Sequence, residues 1–253
     1  MSLLESIQTG RENKPPRLMV YGQEGVGKST LGASAPDAIF VQTEDGLGEI
    51  DCRKFPLAQN LGDVIAALTA LRDEDHNFRT VVIDSLDWLE RLIFDEVCKE
   101  FGVRSIEKAD GGFGKGYVDA LVHWRKVLSL LDDLRNKRGM MVILLAHAKV
   151  ERFEDPENTA YDRYAPRLHK HAASLIAEWV DAVMFATKRM RVSKDGDTRS
   201  IASPIGADGG ERVLRTNGSP ACIAKNRFSL PNEIPLSWDA FLQAYQNSVA
   251  PAS

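Results

Sequence analysis

The segment Gly22-Gln23-Glu24-Gly25-Val26-Gly27-Lys28-Ser29 constrains this chain more than any other. It fits the spacing G-x-x-x-x-G-K-S. An apolar run, Arg17 to Tyr21, leads into it, and a helix-like stretch follows. In a strand–loop–helix context the glycines let backbone N–H groups converge on phosphates. Lys28 then brings positive charge to the β- and γ-phosphates, and the Ser29 hydroxyl oxygen serves Mg²⁺. Gly22 to Thr30 is therefore the expected nucleotide-binding segment, with ATP and Mg²⁺ as the expected ligands. A chance match in a Gly-rich turn is the alternative, and the strand context weighs against it.

A loop of this kind needs a sheet to stand on, and the sequence supplies the strands. Continuous apolar runs recur at Arg17–Tyr21, Ala38–Gln42, Thr80–Ile83, Met140–Leu145 and Val180–Thr187. Continuous rather than alternating runs fit strands buried on both faces. Helical spacing separates them over Leu61–Leu71 and Tyr117–Arg135. Such alternation predicts an α/β fold with a mainly parallel twisted sheet flanked by helices. Beyond residue 187, turn pairs at Asp195-Gly196, Gly209-Gly210 and Asn217-Gly218 predict antiparallel hairpins at the sheet edge. A last amphipathic helix is expected over Ser237–Gln246, with Ser237 as its N-cap. The expected division is a polar leader over residues 1–16, one ATPase domain over 17–247 and a tail over 248–253.

Composition narrows the partners. The 253 residues, 43% of them hydrophobic, suffice for one large domain. A net charge of −4 gives no global field for a polyanion, so any such site must be a local patch. Cys52, Cys98 and Cys222 have neither metal-ligand nor disulfide-framework spacing. No apolar run reaches the roughly 18 residues that span a bilayer, and the first residues lack the regions of a signal peptide. The expectation is a cytoplasmic protein without a membrane partner.

Several residues at strand ends are candidates for chemistry. Asp84 ends the run VVID, the edge where ligands of open α/β sheets bind, and is expected to support Mg²⁺ with Ser29. Helix capping is its alternative role. Glu44 and Asp45 follow the second strand; Glu44 is the expected base for the attacking water, with Asp45 the rival. His147 leaves the fourth strand where a γ-phosphate would lie and can donate to it. Lys225 and Arg227 alternate along one short strand and so share a face. They are expected to act as a cationic finger on a neighbour's γ-phosphate, or else to guard an edge strand.

Two segments read as loops. Asp110–Tyr117 offers Phe113 and Lys115. Lys149–His171 offers Lys149, Arg152, Arg163, Arg167 and Lys170 among aromatic residues, with an acidic first half. Cations interleaved with aromatics suit single-stranded nucleic acid, though solvated loops of this composition are common.

Taken together, these pieces resemble the RecA/RadA recombinase core over roughly residues 17–232. The phosphate loop, Glu44 after the second strand, Asp84 after the third, a polar residue after the fourth and the late Lys225-x-Arg227 pair carry the resemblance. The short leader makes the chain look like small phage-encoded members, including the single-strand annealing ATPases of the Sak group. The resemblance implies a homo-oligomer, ring or filament, acting on single-stranded DNA, in company with a single-strand binding protein, in a host bacterial cytoplasm. His147 stands where the family has a sensor glutamine. A single acid before Ser85 counts against an AAA+ machine, and Asn136-Lys137-Arg138-Gly139 lacks the aspartate of a guanine reader. A hexameric helicase motor and a nucleotide-switched regulator without DNA are the remaining alternatives.

Overall fold

The computed structural model describes residues 3–7, 9–10, 14–157, 159–195, 199–205 and 210–249. Its elements run β1 (Arg17–Gly22), α1 (Lys28–Ala33), β2 (Ala38–Gln42), β3 (Arg53–Lys54), α2 (Leu61–Asp73), β4 (Thr80–Asp84), α3 (Leu86–Glu100), α4 (Lys115–Lys137), β5 (Met141–Phe153), β6 (Tyr161–Pro166), α5 (Lys170–Trp179), β7 (Ala182–Lys188), β8 (Met190–Asp195), β9 (Arg199–Pro204), β10 (Arg212–Arg215), β11 (Lys225–Asn226), β12 (Glu233–Pro235) and α6 (Trp238–Val249).

The main sheet has the order β12-β10-β7-β1-β5-β4-β2-β3. From β3 to β7 neighbours are parallel, while β10 and β12 add antiparallel strands at one end. The five apolar runs of the sequence are its central strands. β1 is buried from Leu18 to Gly22, and β4 throughout. Successive residues of β1 serve opposite faces, as the period of two requires. Met19 and Tyr21 pack with the residues of α2, α3 and α4, and Leu18 and Val20 with Leu31 of α1 and Phe241 of α6. Both sheet faces are therefore covered, as a parallel sheet demands.

Three sequence expectations need correction. The fourth strand does not stop at Leu145. It runs for 13 residues in all, Met141–Phe153, leaving the parallel sheet after His147. From Ala148 onward it pairs antiparallel with β6. Lys149–His171 is thus mostly a hairpin rather than a loop, and it ends in α5. At the far end β8 and β9 form a separate two-stranded sheet, while β10, β12 and the short β11, which pairs with β7, add antiparallel strands to the main one. Gly196 and Gly209 of the expected turns lie outside the described residues. At α6, the Ser237 hydroxyl accepts the Ala240 N–H at 3.2 Å, the cap the sequence implied.

Candidate nucleotide site

β1 delivers the phosphate loop between its two parallel neighbours. Gly22 lies opposite His147 of β5 and Ala186 of β7. A Cβ at Gly22 would stand 2.3 Å from the Ala186 carbonyl oxygen, so only glycine lets the strands close at this point. Gly27, at φ 105°, occupies the left-handed region that admits the turn into α1.

The Lys28 ammonium folds back over the loop and donates to the carbonyls of Gly22 and Gln23, each at 3.0 Å. Burial draws its pKa down, against the pull of Asp84, Asp87 and Glu44. Ser29 Oγ donates to Asp84 Oδ2 at 2.6 Å, which joins α1 to the tip of β4. Burial pushes the Asp84 carboxyl up, and the Ser29 hydrogen bond opposes the rise. Two adjacent hard oxygens from the protein suit Mg²⁺, which keeps several waters and takes its other ligands from phosphates.

Glu44 follows β2 through Thr43, whose N–H and hydroxyl donate to the carbonyls of Asp84 and Ser85 at 2.8 and 2.7 Å. So fixed, Glu44 Oε2 accepts the Ser85 hydroxyl at 2.9 Å and lies 3.8 Å from His147 Nδ1. His147 is held by Asp87 in the first turn of α3, through its N–H at 3.0 Å and its ring Nδ1 at 3.0 and 3.1 Å. Burial of Asp87 is outweighed by these hydrogen bonds, and its carboxyl sits below the usual range. Lys28, Ser29, Glu44, Asp84 and His147 line one cleft of about 450 Å³. Asp45, the rival base, is exposed and outside it.

The cleft also contains Arg212, from β10, which sequence reasoning missed. No motif surrounds it, and only the antiparallel end of the sheet brings it to the loop. Its Nη1 would lie 3.1 Å from a Cβ on Gly27. Arg167, expected among DNA contacts, is also drawn here: its guanidinium meets Glu24 of the loop at 3.5 Å, and its N–H donates to the His147 carbonyl at 2.7 Å.

The expected finger is altered. Lys225 does not project as a free cation. Its ammonium donates to the carbonyls of Ala177, Glu178 and Val180 at 2.6, 3.0 and 2.7 Å, satisfying the C-terminal end of α5. Arg227 is half exposed, 3.7 Å from Asp181, whose backbone N–H donates to the Arg17 carbonyl. It therefore sits at the start of β1, roughly 17 Å from that strand's loop end.

The expected DNA contacts divide. Arg163 pairs with Glu151 and lies over the Phe153 ring, Arg152 pairs with Glu154, and Lys149 donates to the Leu168 carbonyl. Of these, the Arg163–Glu151 pair braces β6 against β5, while the Arg152–Glu154 pair is exposed. Phe113 instead is wholly exposed, and Lys115, paired with Asp110 at 3.6 Å, lies beside it in the chain. The Tyr117 ring stacks on His169 at 4.0 Å, which brings that segment against exposed Lys170 at the start of α5.

The chain is similar to several known proteins. The SPbeta prophage-derived uncharacterized protein YorG of Bacillus subtilis (strain 168) is 22% identical over 201 residues, which cover 78% of this chain. The match spans 57% of that relative's length. A solved structure described as the crystal structure of the RadB recombinase aligns over 90% of each chain at 14% identity, with a TM-score of 0.46. Residues 14–228 match the family AAA_24, described as an AAA domain. With its phosphate loop on the central strand of a mainly parallel, helix-covered sheet, the chain has a P-loop α/β fold and belongs to the AAA domain family AAA_24.

Proposed function

We propose that the protein hydrolyses ATP with Mg²⁺ and does so as an oligomer on single-stranded DNA, in recombination or annealing of the phage type. One observation carries the hydrolytic part: the convergence of Lys28, Ser29, Asp84, Glu44 and His147 on one cleft. Lys28 exchanges its two carbonyl partners for phosphate oxygens. Ser29 and Asp84 would hold Mg²⁺, which would draw charge from the β- and γ-phosphates. Glu44, with Ser85 steadying one oxygen, takes a proton from the attacking water, and His147 faces the terminal phosphate. Arg227, too far from its own loop, serves the nucleotide of a neighbouring copy. For DNA the supporting surface is Phe113, Lys115 and Lys170 around the Tyr117–His169 stack, where an exposed ring and two cations can take a base and phosphates.

The pairing of the hairpin cations with acids favours a second reading, a nucleotide switch with no DNA partner. Hydrolysis measured with and without single-stranded DNA across a salt series separates the two. A rate stimulated by DNA and suppressed by salt supports the first, and a rate indifferent to DNA supports the switch. Absence of hydrolysis in the wild type, at the background of Lys28→Ala, refutes both.

A further inference from the structure

A chamber of about 260 Å³ opens between the β5–β6 hairpin and α5. It shares no lining residue with the phosphate cleft. Its floor is apolar, with Met19 and Ala165 buried there and Ala177 and Ile223 beside them. Three cations from three elements converge on it: Lys149 of β5, Arg163 of β6 and Lys170 of α5. Among the described residues Glu151 is the one carboxylate in the wall, 3.0 Å from Arg163 and 3.8 Å from Lys149. The wall is held by bonds that the charged groups do not make. The Tyr21 hydroxyl donates to the Ile223 carbonyl at 2.6 Å. The Ile223 N–H donates to the Tyr164 carbonyl at 3.1 Å, and the Tyr164 N–H to the Ala221 carbonyl at 2.8 Å. The chamber is thus formed before any ligand arrives, as small-molecule sites usually are.

Charge decides what it can receive. Three cations and one carboxylate leave a net charge of +2 around the chamber. A phosphomonoester carries about two negative charges near neutral pH, and its oxygens accept from ammonium and guanidinium groups alike. A carboxylate offers a single charge. The apolar floor calls for an apolar body behind the charged head.

The wall of the chamber also touches the nucleotide cleft. The Lys149 ammonium donates to the Leu168 carbonyl at 2.9 Å, and Pro166 is part of the lining. Between them, Arg167 donates its N–H to the His147 carbonyl at 2.7 Å and meets Glu24 of the phosphate loop at 3.5 Å. Residues 166–168 are therefore a strap common to both cavities.

We propose that this chamber is an effector site for a small phosphomonoester with an apolar body, and that its occupancy changes nucleotide affinity through the 166–168 strap. Lys149 and Lys170 take phosphate oxygens, Arg163 adds its guanidinium while keeping Glu151, and the body lies on Met19 and Ile223. Binding in the chamber does not depend on the ATP reading of the cleft; the coupling rests on it.

Phenyl phosphate is the probe, titrated calorimetrically into the full chain carrying Lys28→Ala, with benzoate and inorganic phosphate for comparison. It should bind more tightly than either, because benzoate lacks the second charge and inorganic phosphate lacks the body. Ser174→Trp, at an exposed position of α5 in the chamber wall, and Lys170→Gln should each weaken it by about 10-fold or more. Benzoate binding as tightly as phenyl phosphate, or an affinity unchanged in both variants, overturns the site. With Lys28 intact, saturating phenyl phosphate should shift ATP affinity, and ATP should shift that of phenyl phosphate by the same factor. A shift that persists in Ser174→Trp places the probe in the phosphate loop and overturns the coupling, as does no shift at all. Failure of the wild type to bind ATP overturns the ATP reading and leaves the chamber to stand on its own titration.

Discussion

Asp87 grips His147 at two points, accepting its backbone N–H at 3.0 Å and facing its ring Nδ1 at 3.0 and 3.1 Å. A carboxylate held in its charged form can only accept, so Nδ1 carries the proton. Nε2 is then the atom left to face a phosphate, and it donates there only as part of an imidazolium with both ring nitrogens protonated. Asp87→Ala would leave a buried backbone N–H unpaired and should cost about 1–3 kcal/mol in urea unfolding. His147→Ala keeps that backbone bond and should cost less stability, while slowing single-turnover hydrolysis by about 10²–10³. His147→Gln restores an N–H donor and should recover part of the loss. Equal stability of the two alanine variants would show that the backbone bond contributes little.

For the base, Glu44→Gln should still bind ATP but hydrolyse it about 10² or more slower, the scale of general-base contributions. Asp45→Asn, exposed and outside the cleft, should remain near the wild-type rate. The reverse ranking would assign the proton transfer to Asp45.

Glu90, one turn after Asp87 on α3, predicts a pH dependence of stability. Its carboxylate accepts the His169 N–H at 3.0 and 3.1 Å, and burial raises its pKa from 4.5 to about 7. Lys149 pulls the value down and Asp87 pushes it up. The folded chain thus holds a proton that the unfolded chain releases. Stability from this group is complete below about pH 4.5 and is lost as pH rises through 7, on the order of 3 kcal/mol over that window. Glu90→Gln should flatten this fall in urea midpoints measured from pH 5 to pH 8. An unchanged slope would assign the dependence to other groups.

On DNA, Lys115→Ala with Lys170→Ala should weaken single-strand binding in fluorescence anisotropy and reduce the salt slope by about 0.7 for each phosphate no longer neutralised. Phe113→Ala should weaken binding with little change in slope, since a stacking ring neutralises no phosphate. Arg152→Ala should change neither, because Glu154 already engages that cation. A slope lowered by Arg152→Ala alone would move the DNA site to the hairpin.

Mixing tests the Arg227 assignment. Arg227→Ala keeps its own loop, and Lys28→Ala keeps its own arginine. Each alone should be nearly inactive, since a cation supplied from a neighbour is worth about 10³–10⁵ in comparable phosphoryl transfers. Co-assembled mixtures should regain part of the rate. Full activity of Arg227→Ala alone would leave that residue as a partner of Asp181 only.

What the sequence made legible follows from locality. The phosphate loop, Asp84 and the central strands are readable because each depends on a short contiguous pattern. The extension of β5 is not: from Lys149 onward the residues alternate between half-buried and exposed, and antiparallel pairing with β6 rather than apolar content holds them. Arg212 and Lys225 show the same limit. One reaches the loop and the other caps α5 only because strands distant in the chain place them there.

The length of β5 has a mechanical consequence. It is one uninterrupted strand from the centre of the sheet to the hairpin tip, and His147 lies where it leaves its last parallel partner. Phe153 is six residue steps beyond His147, so the outer arm is about 20 Å long. As a stiff lever pivoting at His147, a tilt of about 10° would swing that tip by roughly 3.5 Å. The imidazole beside the phosphate loop and the outermost ring of the hairpin thus stand on one continuous strand.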